Sequence, residues 1–352
     1  MAAPIRLLII GTGGMANNHA TEFAAIPGVE LVAGVDTRPE QLKAFCDRHH
    51  IPNGFASLDE AIAWGQFDAA TNVTPDAAHY ATTLPLLAAG KHVLCEKPLA
   101  TNEADANAMA EAAAKAGVVN MVNLSYRNVA ALQQAAKMVR DGAIGNIRHF
   151  EASYLQSWLT QPAWGHWDRE SQWLWRLSTK HGSKGVLGDV GIHILDYALF
   201  IAGLDAVEVS ARLATFHNAP GDQIGEYPLD ANDSATMQLV LSNGALGTVA
   251  ATRFASGHLN DLRLRLYGDK GGLEVSWEKN VSHLRACLDD DLQQAHWHDV
   301  EAPVLANIYQ RFIAAIRGEG VADPDFARGA MLQRLLDRAE QSAGQAGQSL
   351  KV

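Results

Sequence analysis

A glycine turn, Gly11-Thr12-Gly13-Gly14-Met15-Ala16, constrains this chain more than any other feature, because it lies between the apolar run Ile5–Ile10 and a stretch of helical spacing. The pattern is G-x-G-x-x-A. A second apolar run, Leu31–Val35, ends at the acidic residue Asp36. A glycine at the first position permits a tight strand-to-helix turn, and one at the second lets backbone approach a pyrophosphate. A small sixth residue lets helix and strand pack closely, and the amino end of the helix favours the phosphate charge. An acid about 20 residues further on is placed to accept hydrogen bonds from ribose hydroxyls. The local order therefore predicts β-turn-α-β and a dinucleotide.

The alternation continues to about residue 123. Strands are predicted at Ile5–Ile10, Leu31–Val35, Asp68–Asn72, His92–Cys95 and Val118–Val122, with helices at Gly14–Ile26, Pro39–His49, Leu58–Trp64, Ala77–Ala89 and Asn102–Ala116. Short apolar runs alternating with helices imply a parallel sheet covered on both faces. After a helix over Val129–Asp141 the pattern changes. A strand at Ile147–Leu155 leads into a tryptophan-dense loop and a helix from Val186 to Ile201. From Ala206 to His298 the chain reads as antiparallel β, with hairpin signals at Ser242-Asn243-Gly244 and at Gly268 to Gly272. Two helices, Val304–Arg317 and Phe326–Ala343, close the chain. The expected fold is an α/β Rossmann domain over 1–124. An α+β domain with an open, mainly antiparallel sheet follows over 125–352, its C-terminal helices packing back.

Composition narrows the function classes. A net charge of −11 opposes nucleic acid and anionic membranes as partners. No apolar run is long enough to span a bilayer, and the amino terminus enters a strand without the features of a secretory signal. The three cysteines, Cys46, Cys95 and Cys287, are isolated and fit reduced thiols of a cytoplasmic protein better than a disulfide or metal set.

Ligands of parallel α/β sheets bind beyond the carboxyl ends of the strands. Those ends carry Gly11–Ala16, Asp36-Thr37-Arg38, Val73-Thr74-Pro75, Glu96-Lys97-Pro98 and Asn123. A lysine at such an end can reach a nicotinamide ribose and a substrate hydroxyl, although a surface ion pair of Lys97 with Glu96 satisfies the same pattern. In Gly188-Asp189-Val190-Gly191-Ile192-His193, Asp189 and His193 stand four apart on the expected helix, so the carboxylate can orient the imidazole. A pair of this kind suits alcohol oxidation, the histidine taking the hydroxyl proton as hydride leaves carbon. It also suits a structural helix contact. A metal site lacks a third ligand of clear spacing, so none is expected.

The three motifs, in this order and at these distances, resemble the glucose–fructose oxidoreductase / myo-inositol dehydrogenase family, and the resemblance covers essentially the whole chain. It implies Lys97, Asp189 and His193 as the catalytic residues, with His193 as acid/base. It places Val73-Thr74-Pro75, with His79 downstream, along the nicotinamide half of the cofactor, and it implies a cis Lys97–Pro98 bond. Gly182-Ser183-Lys184-Gly185 departs from the family's usual glycine pair, which leaves the role of Lys184 open.

Five of eight tryptophans, Trp158, Trp164, Trp167, Trp173 and Trp175, fall in one segment with Gln156, Asp168, Arg169, Gln172 and Arg176. Aromatic faces beside polar groups suit a carbohydrate, and equally a core or subunit contact. Trp175-Arg176 resembles a pair in sugar-oxidising family members. Lys97, Tyr126, Trp164, Trp175, Arg176, Asp189 and His193 form the expected substrate set. Asp36 favours NAD, while Arg38 leaves NADP possible.

The function expected is reversible oxidation of a secondary hydroxyl of a sugar, glycoside, anhydrosugar or polyol, in a homodimer or homotetramer paired through the open sheet. The alternatives are a non-redox glycosidase using tightly bound NAD, and a non-catalytic NAD(P)-binding sensor.

Overall fold

The computed structural model describes residues 3–216 and 219–352. Contacts divide the chain into two units, one of 1–125 with 306–333 and one of 126–305 with 334–352. Residues 306–333, which the sequence reading places in the second domain, thus group with the first.

In the first unit the elements run β1 (Ile5–Ile10), α1 (Gly14–Ala24), β2 (Val29–Val35), α2 (Pro39–His49), β3 (Asn53–Phe55), α3 (Leu58–Trp64), β4 (Ala69–Asn72), α4 (His79–Ala88), β5 (His92–Cys95), α5 (Glu103–Ala116) and β6 (Asn120–Val122). The sheet has six strands in the order β3-β2-β1-β4-β5-β6, and every pairing is parallel. Strands of this kind bury both faces, and every residue of β4 and all but Arg6 in β1 are buried. Helix boundaries follow local chemistry. The Ser57 and Asn102 side chains accept from the backbone N–H groups of Glu60 and Asp105, and Gly117 ends α5 in the left-handed conformation. A late helix, Ile308–Ile316, sends Ile308, Tyr309, Phe312 and Ile313 into the cluster formed by Leu7, Phe23, Leu94 and Met121. The short strand β3, absent from the sequence reading, is three residues long and gives no periodic signal.

In the second unit, α6 (Ala130–Arg140) and β7 (Ile147–Leu155) precede a short helix α7 (Ser171–Leu174). A wide helical turn and α8 (Ile192–Ala202) come next. The β-region then comprises β8 (Ala206–Ala214), a minimal ladder of β9 (Gln223–Ile224) with β10 (Tyr227–Pro228), β11 (Ser234–Leu241), β12 (Leu246–Thr252), β13 (Asp261–Gly268), β14 (Gly271–Glu278), β15 (Val281–Leu288), β16 (His298–Asp299) and β17 (Leu350–Lys351). Nine strands join in the order β16-β15-β14-β13-β7-β12-β11-β8-β17. All pairings are antiparallel except β12 with β7, so both hairpins form as expected while the sheet as a whole is mixed. Alternation is strict on β13: Leu262, Leu264 and Leu266 are buried and Arg263 and Arg265 exposed. The apolar side meets α6 and α8. The other side carries a cross-strand row, Glu151, Arg265, Glu274 and Arg285, each neighbouring pair 3.3 Å apart.

Candidate functional sites

The glycine turn takes the conformation its sequence predicts. Gly11 has φ +82°, and a Cβ there would lie 2.6 Å from the Val73 carbonyl oxygen, so only glycine fits between β1 and the loop after β4. A Cβ built on Gly13 or Gly14 meets nothing within 4 Å. Open space above two glycines at the start of an eleven-residue helix is what a pyrophosphate requires, so the residues present fit a dinucleotide. Thr12 donates its backbone N–H and its hydroxyl to Asp36 Oδ2, at 2.9 and 2.8 Å. Arg38 donates to the same carboxylate through its backbone N–H, Nε and Nη2, each at 3.0 Å. Burial pushes the Asp36 carboxyl upward, but hydrogen bonds from Arg38 and Thr12 outweigh it and hold the group below the usual carboxylate range. Asp36 is therefore a buried, ionised acceptor. The Arg38 side chain is 64% exposed, so it can move aside for a ribose. Thr37 is exposed beside it.

Glu96 and Asn123 stand at strand ends as expected, but their side chains form a network behind the turn. His19 Nε2 lies 2.8 Å from Glu96 Oε1 and its Nδ1 2.7 Å from Thr71 Oγ1. Asn123 Nδ2 donates to Glu96 Oε1 at 2.6 Å and to the Tyr309 hydroxyl at 3.2 Å. Glu96 Oε2 accepts from the Lys97 backbone N–H at 3.1 Å, fixing the turn that carries the half-buried lysine. Burial raises the Glu96 pKa, and His19, Lys97 and Asn123 bring it down to about 2. The Lys97–Pro98 peptide is cis, as the family resemblance implied.

His79, expected along the cofactor, is wholly buried. Its ring nitrogens face two backbone carbonyls, Nδ1 at 2.7 Å from Pro98 O and Nε2 at 3.0 Å from Thr74 O. Carbonyls only accept, so both nitrogens must donate and the ring is an imidazolium. His79 therefore ties the loop after β4 to the cis-proline turn and presents neither nitrogen to a ligand. Asn72 fixes the same loop, its Oδ1 accepting from the Thr74 hydroxyl at 2.7 Å. Neither Asn72 nor His19 figured in the sequence reading. Both lie within three residues of motif positions, a signal that could have found them.

In the second unit, residues Leu187–Gly191 form a π-helical turn before α8, in place of the uninterrupted helix expected from Val186. Such turns widen a helix locally and re-aim side chains. Gly188 allows it: a Cβ there would lie 2.3 Å from Lys184 Cβ. Lys184 itself points to Glu340, 3.9 Å away. The carboxylate of Asp189 sits between two guanidinium groups, Oδ1 at 3.3 Å from Arg176 Nη1 and Oδ2 at 3.2 Å from Arg253 Nη2. Arg253, at the end of β12, also donates from Nη1 to the Arg176 carbonyl at 3.1 Å, and its guanidinium lies 4.9 Å from the Trp158 ring. It was missed because a single arginine after a strand carries no sequence signal. His193 is buried at the start of α8, its ring 5.0 Å from Tyr126 and 6.4 Å from Tyr154. A buried Arg127–Asp196 pair, at 2.6 and 2.8 Å, anchors the segment of Tyr126 to α8.

The tryptophan segment divides. Trp158, Trp164, Trp167 and Trp173 pack with Leu159, Leu174, Leu177 and Leu229, and the rings of Trp164 and Trp173 stack at 6.2 Å. Trp164 thus packs within a local core. Trp175 is outside that cluster, with the Arg176 guanidinium 4.7 Å over its ring. Arg176 and Arg253 both link the tryptophan segment to Asp189. Among the described residues, no cluster of His, Cys, Asp or Glu is arranged to hold a metal, and no helix is long and apolar enough to cross a membrane.

A dinucleotide cradle on a six-stranded parallel sheet, followed in the same chain by a nine-stranded open sheet, is the architecture of a nicotinamide-dependent oxidoreductase. The chain belongs to the GFO/IDH/MocA family. Residues 5–124 match its NAD-binding Rossmann-fold domain and residues 132–274 its C-terminal domain. It is 28% identical to levoglucosan dehydrogenase of Pseudarthrobacter phenanthrenivorans, over 77% of this chain and 73% of that one. It is 27% identical to D-glucoside 3-dehydrogenase of Escherichia coli, over 97% and 96%. The solved structure of a levoglucosan dehydrogenase in complex with NADH and levoglucosan superposes with a TM-score of 0.86 at 26% identity, covering 99% of both chains. The protein is an NAD-binding oxidoreductase of a family whose members act on sugars and polyols.

Proposed function

We propose that the protein oxidises a secondary hydroxyl of a cyclic sugar acetal, with an anhydrosugar such as levoglucosan or a D-glucoside as substrate, reversibly. The observation that carries this reading is the Asp189 carboxylate held by Arg176 and Arg253 in the unit that also buries His193 beside two tyrosines. Arginines on both sides keep Asp189 ionised, and an ionised Asp189 favours the charged form of His193 once the imidazole has taken the hydroxyl proton. Lys97 assists by electrostatics and proton relay. Trp175 and Arg176 offer an aromatic face and a donor to the sugar. Tyr126 contributes its hydroxyl.

NAD, when bound, supplies the hydride acceptor. Gly11 to Ala16 hold its phosphates, Asp36 with Thr37 and Arg38 meets the adenosine ribose, and Val73-Thr74-Pro75 flanks the nicotinamide. Glu96, Asn123 and His79 act by positioning, from behind the turn. Asp36 selects NAD over NADP. The charged face of the nine-stranded sheet pairs with a second copy of the chain in a dimer or tetramer, and the protein works in the cytoplasm.

The test is NADH formation, followed spectrophotometrically, over levoglucosan, methyl glucosides, free monosaccharides and inositols. Turnover of an acetal-locked sugar is expected. Tight NAD retention without net NADH on any of them would replace this reading by the transient-oxidation glycosidase.

A further inference from the structure

Five side chains of the second unit form one continuous hydrogen-bonded chain whose direction is set at one end. Trp158 Nε1 lies 3.1 Å from Gln156 Oε1, Gln156 Nε2 lies 2.7 Å from Asn260 Oδ1, and that same Oδ1 is 2.9 Å from the Tyr154 hydroxyl. The Tyr154 hydroxyl in turn lies 2.6 Å from the hydroxyl of Tyr126. An indole N–H only donates, so the Gln156 atom facing it is the carbonyl oxygen. The Gln156 amide nitrogen then faces Asn260 and must donate, which makes the Asn260 atom an acceptor. Tyr154 can satisfy that acceptor only by donating its one proton. Between the two tyrosines, the donor is therefore Tyr126. The order follows from the indole alone and does not depend on how either amide was oriented.

We propose that Tyr126 is locked as a hydrogen-bond acceptor toward the site, so that it recognises a substrate group that donates, a hydroxyl, and discriminates against one that only accepts. The proposal deepens the sugar-oxidation reading and rests on it for the nature of the ligand. Tyr126 and Asn260 are half-buried while Trp158, Gln156 and Tyr154 are buried, and since Asn260 Oδ1 already takes two bonds, Tyr126 is the end of the chain left to accept from a ligand. The ring of Tyr126 lies edge-on to His193 at 5.0 Å, which puts the acceptor in the neighbourhood of the acid/base. Reversing the bond between the tyrosines would take the Tyr154 proton away from Asn260 and leave the Tyr154 and Asn260 oxygens facing each other at 2.9 Å with no proton between them. Tyr126 also stays protonated. Burial pushes its hydroxyl up to about 12, so it positions a hydroxyl and does not serve as the base.

Two measurements test this. Neutron diffraction from deuterium-exchanged crystals of the full chain should place the Tyr126 deuteron toward Tyr154 and the Tyr154 deuteron toward Asn260. A Tyr154 deuteron directed at Tyr126 overturns the proposal. In calorimetric titrations with NADH present, levoglucosan is compared with its monodeoxyfluoro analogues, since fluorine accepts weakly and never donates. One analogue should lose about tenfold or more in affinity for the wild-type protein and no more than about threefold for Tyr126→Phe. Equal losses in both proteins overturn the proposal. If levoglucosan itself does not bind, the substrate reading fails, and the neutron result still decides the direction of the chain.

Discussion

Arg253 Nη2 stands 3.2 Å from Asp189 Oδ2, and the Arg253 side chain is 0% exposed whereas Asp189 keeps 22%. A guanidinium sealed from water thus holds the inner face of a carboxylate whose outer face is still accessible. Burial pulls the Arg253 pKa down, and Asp189 and Asp233 oppose that pull. Removing Arg253 leaves Asp189 to Arg176 alone and takes away the Arg253 bond to the Arg176 carbonyl as well. Arg253→Met is expected to lower the urea midpoint sharply. Arg253→Lys, which retains the charge and loses the two-point geometry, should fold and lose about tenfold or more in kcat. Wild-type kcat in the lysine variant would remove Arg253 from the positioning of Asp189.

His193→Ala is expected to cut NADH formation about 100-fold or more while leaving NAD affinity unchanged. The two quantities separate the assignment from a folding defect, because a misfolded protein loses both. Turnover within threefold of wild type would end the acid/base assignment.

Asp36 and Arg38 together set the choice of cofactor. Asp36→Ser removes the charge that repels a 2′-phosphate and frees Arg38 to pair with one. The ratio of kcat/KM for NAD to that for NADP should fall about tenfold or more. Arg38→Ala, by contrast, leaves Asp36 to the ribose and should raise the ratio. A ratio unmoved in both variants would show that neither residue reads the ribose.

His79 gives the fold a specific pH dependence. Burial opposes its charge, but Cys95, Asp76 and the Pro98 carbonyl favour it, and its pKa is raised to about 10. The unfolded chain releases this proton near the ordinary histidine value of 6.5, the folded one only near 10. Between those limits the native state binds more protons, so this contribution is complete below about pH 6.5 and is lost as pH rises toward 10. Urea unfolding at intervals from pH 6 to 10 should show wild-type stability falling relative to His79→Gln. Parallel curves for the two proteins would mean that the ring is neutral.

Much of the first unit was legible in its sequence. The ends of β1, α2, α3 and β5 match the runs Ile5–Ile10, Pro39–His49, Leu58–Trp64 and His92–Cys95, because buried parallel strands and capped helices leave uninterrupted local signals. The β3 strand and the pairing of the Ile308–Ile316 helix with the first unit were not legible. A three-residue strand has no period, and an amphipathic helix states that it buries a face without stating against what.

The sites divide in the same way. Glycine at 11 is required by a positive φ and a 2.6 Å approach, a condition written into residue type, so the turn and with it the dinucleotide class were determined by sequence alone. The motif residues Asp36, Lys97, Asp189 and His193 were likewise singled out as candidates by type and spacing. What each side chain touches was decided only by tertiary structure. Asp189 meets Arg253 across 64 positions, and Tyr126 reaches Tyr154 and then Asn260 through contacts separated by 28 and 106. Hydrogen-bond direction, charge state and burial belong to such long-range contacts. A sequence specifies which groups exist, and the packing of distant strands specifies which of them are within 3 Å.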